Sequence, residues 1–489
     1  MSLNLNDHRN LTMLADFYEF TMSNGYFVNG MGDKEVVFDF FFRKIPDNGG
    51  FAIFAGLEQL IDYLKNLSFT PKDIEYLKSK NCFSDEFLDY LANFKFVCDV
   101  WSVKEGTVIF PNEPVISVRG PVIQAQLIET MLLLTVNHQS MIATKANRMV
   151  RAANGKTIME FGSRRAQGAD AAILGARAAY IGGCNATACA LSDRDFKIPA
   201  VGTMAHSWIQ LFDSELDAFT TYAKTYPDNC TLLVDTYNVL KSGIPNAIKV
   251  FNDVIIPAGF RPKGVRLDSG DLAYLSKKVR AMLDEAGFSD VQIVASNSLD
   301  EYLIRDLSAQ GAKIDSYGIG ERLITSKSDP VFGGVYKLAA VKEGDVYSPR
   351  IKISESIEKI TNPGFKNLYR FYNADTGKAE ADYLCLHTEQ LYTKRPLNIT
   401  IFDQFATWKK KDLINVWAVE LLRPVFVKGV CVYENPPLSE IRSYCQTQVS
   451  SLWDEVKRFE NPHNYYVDLS QELWDLKQKL LSELSSKNK

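Results

Sequence analysis

Between Thr157 and Leu338 short apolar runs alternate with amphipathic stretches, and no other feature of the sequence narrows the possible folds so far. The runs are Thr157–Phe161, Ile198–Val201, Thr231–Val234, Gly264–Leu267, Val291–Ala295 and Ile314–Ile319. Apolar residues at helical spacing mark Ala169–Tyr180, Ser207–Lys224, Leu272–Glu285 and Leu299–Ala309. Asp271 and Asp300 stand near two helix starts, and Gly287 and Gly311 follow two ends. Strand–helix repetition of this kind predicts a parallel sheet with right-handed crossovers. The repeat count leaves a doubly wound sheet and an incomplete (β/α) barrel both open. No Gly-x-Gly-x-x-Gly follows the first strand, which weighs against a dinucleotide-binding sheet.

The flanks are less regular. Strand-like runs at Glu35–Phe42 and Phe96–Val103 mix with a helical stretch at Leu57–Leu67, an order that suits an α+β domain. Gly and Pro punctuation makes Gly106–Pro121 read as a hairpin. Past Val341 the alternation stops. Tyr369–Asn373 and Tyr383–Leu386 flank Asp375-Thr-Gly377 as another hairpin, and a last helix is expected over Gln471–Leu484. A chain of 489 residues is expected to hold more than one domain, with divisions at 1–136, 137–340 and 341–489.

Composition excludes several functions. A net charge of −4 with both signs mixed along the chain leaves no basic stripe, so nucleic acid is not an expected partner. None of the 8 cysteines forms a Cys-x-x-Cys pair, which argues against a zinc or redox site and for buried thiols in a reducing compartment. Met1 to Asn10 is polar, without the apolar stretch of a signal peptide, and the run Met131–Val136 is too short to span a bilayer. A cytoplasmic protein without membrane contact is expected.

The C-terminal ends of the predicted strands are small or charged. Gly162-Ser-Arg-Arg165 follows the first, Thr203-Met-Ala-His206 the second and Asp235-Thr-Tyr-Asn238 the third. Asp268-Ser-Gly-Asp271, Ser296-Asn-Ser298 and Gly318-Ile-Gly320-Glu-Arg322 follow the others. In parallel α/β folds these ends face one active site, so the clusters are expected to converge. Gly-rich turns entering helices offer N–H groups to a phosphate. Arg164, Arg165, Arg266 and Arg322 supply forked donors for phosphates and a carboxylate. Asp235, Asp268 and Asp271 suit ribose hydroxyls or a magnesium ion. Each piece also has a plain structural role: Asp271 caps a helix, Arg164-Arg165 is solvated charge, and a lone histidine such as His206 is more often structural than catalytic. All of those roles would have to hold at every strand end at once.

The same segments closely resemble nicotinate phosphoribosyltransferases. The matching stretches are Leu14-Ala-Asp-Phe-Tyr-Glu-Phe-Thr-Met22, Glu160-Phe-Gly-Ser-Arg-Arg-Ala-Gln-Gly168, Gly202-Thr-Met-Ala-His-Ser207, Leu233-Val-Asp-Thr-Tyr237, Val265-Arg-Leu-Asp-Ser-Gly-Asp271 and Tyr317-Gly-Ile-Gly320. Tyr465-Tyr-Val-Asp-Leu-Ser470 resembles the family's closing motif. The resemblance implies an irregular, incomplete (β/α) barrel of the type II phosphoribosyltransferase kind over 137–340. An N-terminal α+β domain over 1–136 and a C-terminal region over 341–489 would pack with it, in a homodimer with shared active sites.

The implied reaction joins nicotinate to phosphoribosyl pyrophosphate, with ATP as co-substrate and Mg2+ present. Its products are nicotinate mononucleotide, pyrophosphate, ADP and phosphate, on the nicotinate route to NAD. By resemblance His206 is the histidine that ATP phosphorylates, and Asp235 is a carboxylate beside it. Phe161 and Tyr18 match aromatic positions that sandwich the pyridine ring, Tyr18 coming from the neighbouring subunit. Thr203 and Arg266 match residues near the nicotinate carboxylate, while Arg164, Asp268, Ser269, Gly318 and Gly320 match positions around ribose and phosphates. Asn185 matches the place where nicotinamide-using relatives carry an aspartate, and a neutral side chain there favours the acid over the amide. Two alternatives compete: a nicotinamide phosphoribosyltransferase, and a non-catalytic phosphate-ligand sensor on the same barrel. Pyrophosphate release with nicotinamide alone would mark the first. A ligand response that survives His206→Ala would mark the second.

Overall fold

The alternating region folds into six parallel strands: β1 (Thr157–Glu160), β2 (Ala186–Thr187), β3 (Thr231–Leu233), β4 (Gly264–Leu267), β5 (Gln292–Asn297) and β6 (Ser316–Ile319). The computed structural model describes residues 10–356, 359–391 and 393–487. Within one compact unit, Lys145–Pro330, the strands stand in the order β2-β1-β6-β5-β4-β3. Every neighbouring pair is parallel. The last strand therefore pairs with the first, which a doubly wound sheet does not allow. The sheet curls into an incomplete barrel whose opening falls between β2 and β3. Parallel strands covered on both faces must be apolar throughout. Accordingly Ile158, Val265, Leu267, Ile293, Ala295, Tyr317 and Ile319 are fully buried.

The helices of this unit include α1 (Ala169–Ile181), α2 (His206–Gln210), α3 (Glu215–Thr225), α4 (Leu272–Glu285) and α5 (Glu301–Ala309). Asp271 and Asp300 cap α4 and α5, accepting from Tyr274 N–H and Leu303 N–H at 2.9 Å each. Gly287 and Gly311 take the left-handed conformation after the two helix ends.

Two expectations for this unit fail. The stretch Ser207–Lys224 is not one helix, because Ser214 caps a new start by accepting from Asp217 N–H at 3.1 Å. Ile198–Val201 is not a strand either. Pro199 lacks the N–H a ladder needs, and only the single bridge Thr187–Ala200 forms. The strand slot goes to Ala186–Thr187, and residues 198–205 run irregularly before α2.

The second unit combines Leu3–Thr144 with Val331–Lys489. Its seven-stranded sheet interleaves the two segments. Glu35–Phe42 lies between Gly334–Glu343 and Ile116–Pro121, and Asp99–Ser102 lies between Ile116–Pro121 and Arg423–Val427, all antiparallel. Gly106–Pro121 is thus not a hairpin: Val108–Ile109 pairs with Ala52–Ile53 instead. The turn that should close it is held differently, with Asn112 at a φ of 67° and the buried Glu113 carboxylate accepting from Phe110 N–H at 2.8 Å. A five-stranded sheet carries the expected hairpin of Lys366–Asn373 on Ala379–Leu386. The helix Gln471–Lys487 follows. Among the described residues no helix is long and apolar enough to cross a membrane.

Candidate active site

Register brings the strand ends together. Glu160 of β1 stands opposite Ile319 of β6, Asn297 of β5 opposite the same Ile319, Leu267 of β4 opposite Ala295 of β5, and Leu233 of β3 opposite Arg266 of β4. The residues that follow emerge side by side at one end of the barrel. A cleft of about 410 Å³ opens there, and its lining includes Phe161, Arg164, Thr203, His206, Arg266 and Asp268. Residues separated by more than a hundred positions in the chain thus share one polar hollow.

Arg266 is its hub. Its Nε donates to Ser296 Oγ at 2.8 Å, one terminal nitrogen to Thr203 Oγ1 at 3.2 Å, and the other to Asp268 Oδ1 at 3.1 Å. A guanidinium has five N–H donors, so one remains on each terminal nitrogen. The guanidinium carbon also lies 5.7 Å from the centroid of the Phe161 ring. Burial alone would raise the Asp268 carboxyl. The Ser296 hydroxyl, Arg266 and His206 outweigh that and hold it below the ordinary carboxylate value.

His206 opens α2, its ring two-fifths exposed. Nδ1 shares a hydrogen bond with Thr236 Oγ1 at 3.0 Å, and Nε2 lies 3.7 Å from Asp268 Oδ2. The carboxylate facing the imidazole is therefore Asp268. Asp235, expected in that place, turns the other way. Its Oδ2 accepts from Asp268 N–H at 3.0 Å and Ser269 Oγ–H at 2.5 Å, because the ends of β3 and β4 are neighbours in the sheet. Its Oδ1 is buried without a partner among the described residues.

The aromatic wall has its own logic. Phe161 N–H donates to Ile319 O at 2.7 Å, which seats the residue across the end of β6. A Cβ on Gly318 would lie 2.5 Å from two carbons of the Phe161 ring. Gly318 thus makes room for that ring, and Gly320, whose Cβ would meet Phe161 O at 3.1 Å, makes room for its backbone. Beneath them the fully buried Glu160 accepts from Gly162 N–H and from Thr187 Oγ1–H, the latter at 2.7 Å, and ties the Phe161–Arg164 turn to the end of β2.

Several expected residues lie elsewhere. Asn185 stands at the entrance of β2, where it accepts from Ile158 N–H at 3.2 Å near the start of β1. It is at the N-terminal ends of the strands, opposite to the cleft, so it cannot select between acid and amide there. Ala188, just past β2, is the residue that reaches the cleft. Arg322 pairs with Asp300. Tyr18 belongs to the other unit, 44% exposed on the helix Phe17–Val28. Thr236, Ser296 and Glu160 stand in the strand-end segments named from the sequence, but nothing there assigns them roles of their own.

Residues 142–329 match the model of the quinolinate phosphoribosyl transferase C-terminal domain. An open parallel barrel with arginine, aspartate and histidine at its strand ends defines a type II phosphoribosyltransferase. Residues 13–137 and 365–477 match the N-terminal and C-terminal domains of nicotinate phosphoribosyltransferase. A nicotinate phosphoribosyltransferase of Bacillus subtilis is 44% identical over 477 residues, covering 98% of this chain and 96% of that one. One from Dictyostelium discoideum is 35% identical, covering 95% and 87%. The crystal structure of the human enzyme named nicotinic acid phosphoribosyltransferase superposes with a TM-score of 0.84 at 28% identity, over 95% of this chain and 99% of that one. The chain belongs to the nicotinate phosphoribosyltransferase family.

Proposed function

We propose that the cleft transfers the phosphoribosyl group of phosphoribosyl pyrophosphate to nicotinate, giving nicotinate mononucleotide and pyrophosphate for NAD synthesis, and that ATP drives the reaction through His206. One observation carries the substrate: Arg266 keeps one N–H free on each terminal nitrogen, the spacing that a planar carboxylate accepts as a fork. The pyridine ring then lies against Phe161. Ala188 presents no charge to repel the acid. The ring nitrogen attacks the anomeric carbon as the C–O bond to pyrophosphate breaks. Positive charge grows on the ribose, and the cleft must hold both it and the departing anion. Arg164 and the N–H groups of the strand-end turns serve the phosphates.

In the tautomer that donates Nδ1–H to Thr236, the lone pair of His206 Nε2 is free. It attacks the terminal phosphorus of ATP, ADP departs, and water later releases phosphate. The donor set fits magnesium. Asp235 offers a buried oxygen without a partner beside Asp268, and magnesium needs only one or two carboxylates together with substrate phosphates. Asp235 and Asp268 would hold such an ion beside the phosphates, where it would neutralise their charge. The assembly we propose is a homodimer in which Tyr18 of one chain covers the pyridine ring in the other. In support, Leu14, Phe17, Tyr18 and Met22 are each more than a third exposed around one helix. The eight free thiols agree with a cytoplasmic location.

The test combines two measurements. Nicotinate, phosphoribosyl pyrophosphate and magnesium should release pyrophosphate faster with ATP than without. Mass spectrometry after ATP incubation should find one phosphate on His206, absent in His206→Ala. Release with nicotinamide but not nicotinate would overturn the substrate, and an unmodified His206 would overturn the coupling.

A further inference from the structure

The transfer reaction makes no use of a cavity in the unit built from the two chain ends. It measures about 420 Å³ and is walled by Trp474, Lys477 and Leu481 of the helix Gln471–Lys487, by Gln404 and Phe405, and by Ile360. Trp474, Lys477 and Leu481 fall on one helix face by their spacing. The volume is that of a small-molecule pocket.

Lys477 is the unusual member, only 7% exposed. Its ammonium donates to Asn362 Oδ1 at 2.8 Å and Gln404 Oε1 at 3.1 Å, both neutral amide oxygens. Asn362 holds its oxygen in that direction by donating its own N–H to Asn112 O at 3.1 Å. An ammonium has three donors, and among the described residues the third has no acceptor and no carboxylate lies in ion-pair reach. The nearby Lys366 differs, paired with Asp39 at 2.7 Å. Burial first, and then Lys366, push Lys477 down to about 8. A buried cation without its counter-charge is costly, and a bound anion removes that cost.

The walls define the rest of the ligand. Trp474 is fixed by its N–H donating to Gln404 O at 3.1 Å and by the edge of Phe402 against its ring. Phe405 is 69% exposed, with its ring centroid 5.9 Å from the Lys477 nitrogen. One ammonium with a single donor left over balances one negative charge, which a monocarboxylate carries. We propose that this cavity is a second ligand site, for an aromatic monocarboxylate whose carboxylate sits on Lys477 and whose flat body lies against Trp474 and Phe405.

Crystals of the full chain soaked in 4-bromobenzoate test it directly: the anomalous bromine signal should appear in this cavity. In solution, fluorine NMR of 4-fluorobenzoate should report binding that weakens at least tenfold in Lys477→Met and in Trp474→Leu, with circular dichroism unchanged. Bromine found only in the cleft beside Arg266, or nowhere, overturns the site. Unchanged 4-fluorobenzoate affinity in a folded Lys477→Met also overturns it. If either variant fails to fold, the bromine position decides alone.

Discussion

Gly318 and Phe161 illustrate how one missing methyl group shapes a binding surface. A Cβ at residue 318 would press to 2.5 Å from the aromatic ring, so Gly318→Ala should displace Phe161 while the strand stays paired. The expected result is a KM for nicotinate raised roughly tenfold, about 1.4 kcal/mol, with little change in circular dichroism. An unchanged KM would mean that the ring does not touch the substrate. Glu19 gives a prediction of another kind. It is fully buried, accepts from Thr130 Oγ1–H at 2.5 Å and N–H at 3.2 Å, and has Glu129 and Asp16 nearby. Burial first pushes its carboxyl from 4.5 up to about 7. Within that window the folded chain holds a proton that the unfolded chain has released, so stability falls as pH rises. Glu19→Gln should flatten that fall, by up to roughly 3 kcal/mol, between pH 5 and pH 7 in urea titrations. Much of the cleft was legible at this scale, because Arg266 is a charge inside the apolar run Gly264–Leu267, Asp268 follows that run, and His206 lies shortly after Ile198–Val201. Asn185 misled because its place came from the resemblance alone: no apolar run marks β2, which is only two residues long, so nothing in the sequence shows which side of that strand the residue takes. Thr236 and Ser296 fall in the strand-end clusters, but their partners stayed hidden because a hydroxyl gives no sign in the sequence of which group it will find.

Among the elements, the hairpin Lys366–Asn373 and Ala379–Leu386 carries a fully buried ion pair. Arg370 and Asp382 are both fully buried, joined through Nε–Oδ1 at 2.7 Å and a second bond at 2.6 Å. Arg370 also donates to Val108 O at 2.8 Å and Gln448 Oε1 at 2.9 Å. Glu113, whose carboxyl is raised by burial and then by Asp382, shares the site. Arg370→Met would leave these acids facing one another without a cation, so it should destabilise the unit by about 3–5 kcal/mol. Denaturant titration followed by circular dichroism measures this, and a loss below 1 kcal/mol would refute the account. Strand β4 and helix α4 were readable because apolar residues recur at the expected spacing in each, with Asp268 after the strand and Asp271 and Gly287 bounding the helix. The second strand and the Gly106–Pro121 segment were not. Pro199 removes a donor without marking where pairing resumes, and Val108–Ile109 finds its partner some fifty residues earlier, at Ala52–Ile53, which no local pattern announces.

For the molecule as a whole, the proposed exchange of Tyr18 between chains has a clean consequence. Tyr18→Ala and His206→Ala should each be inactive alone. Mixed, dissociated and reassociated, they should regain pyrophosphate release, because a mixed dimer holds one site with both residues intact. Mixtures that stay inactive would place Tyr18 and His206 in one chain's site or remove Tyr18 from the chemistry. The barrel unit is a continuous stretch of chain, whereas the other unit is divided into two segments that share a sheet. That arrangement orders events during synthesis. Lys145–Pro330 has all its strands once Pro330 has left the ribosome, while Glu35–Phe42 must still wait for Gly334–Glu343, and Asp99–Ser102 for Arg423–Val427. Strands made before the barrel are thus completed after it, and their apolar faces need shelter until Arg423–Val427 has been synthesised.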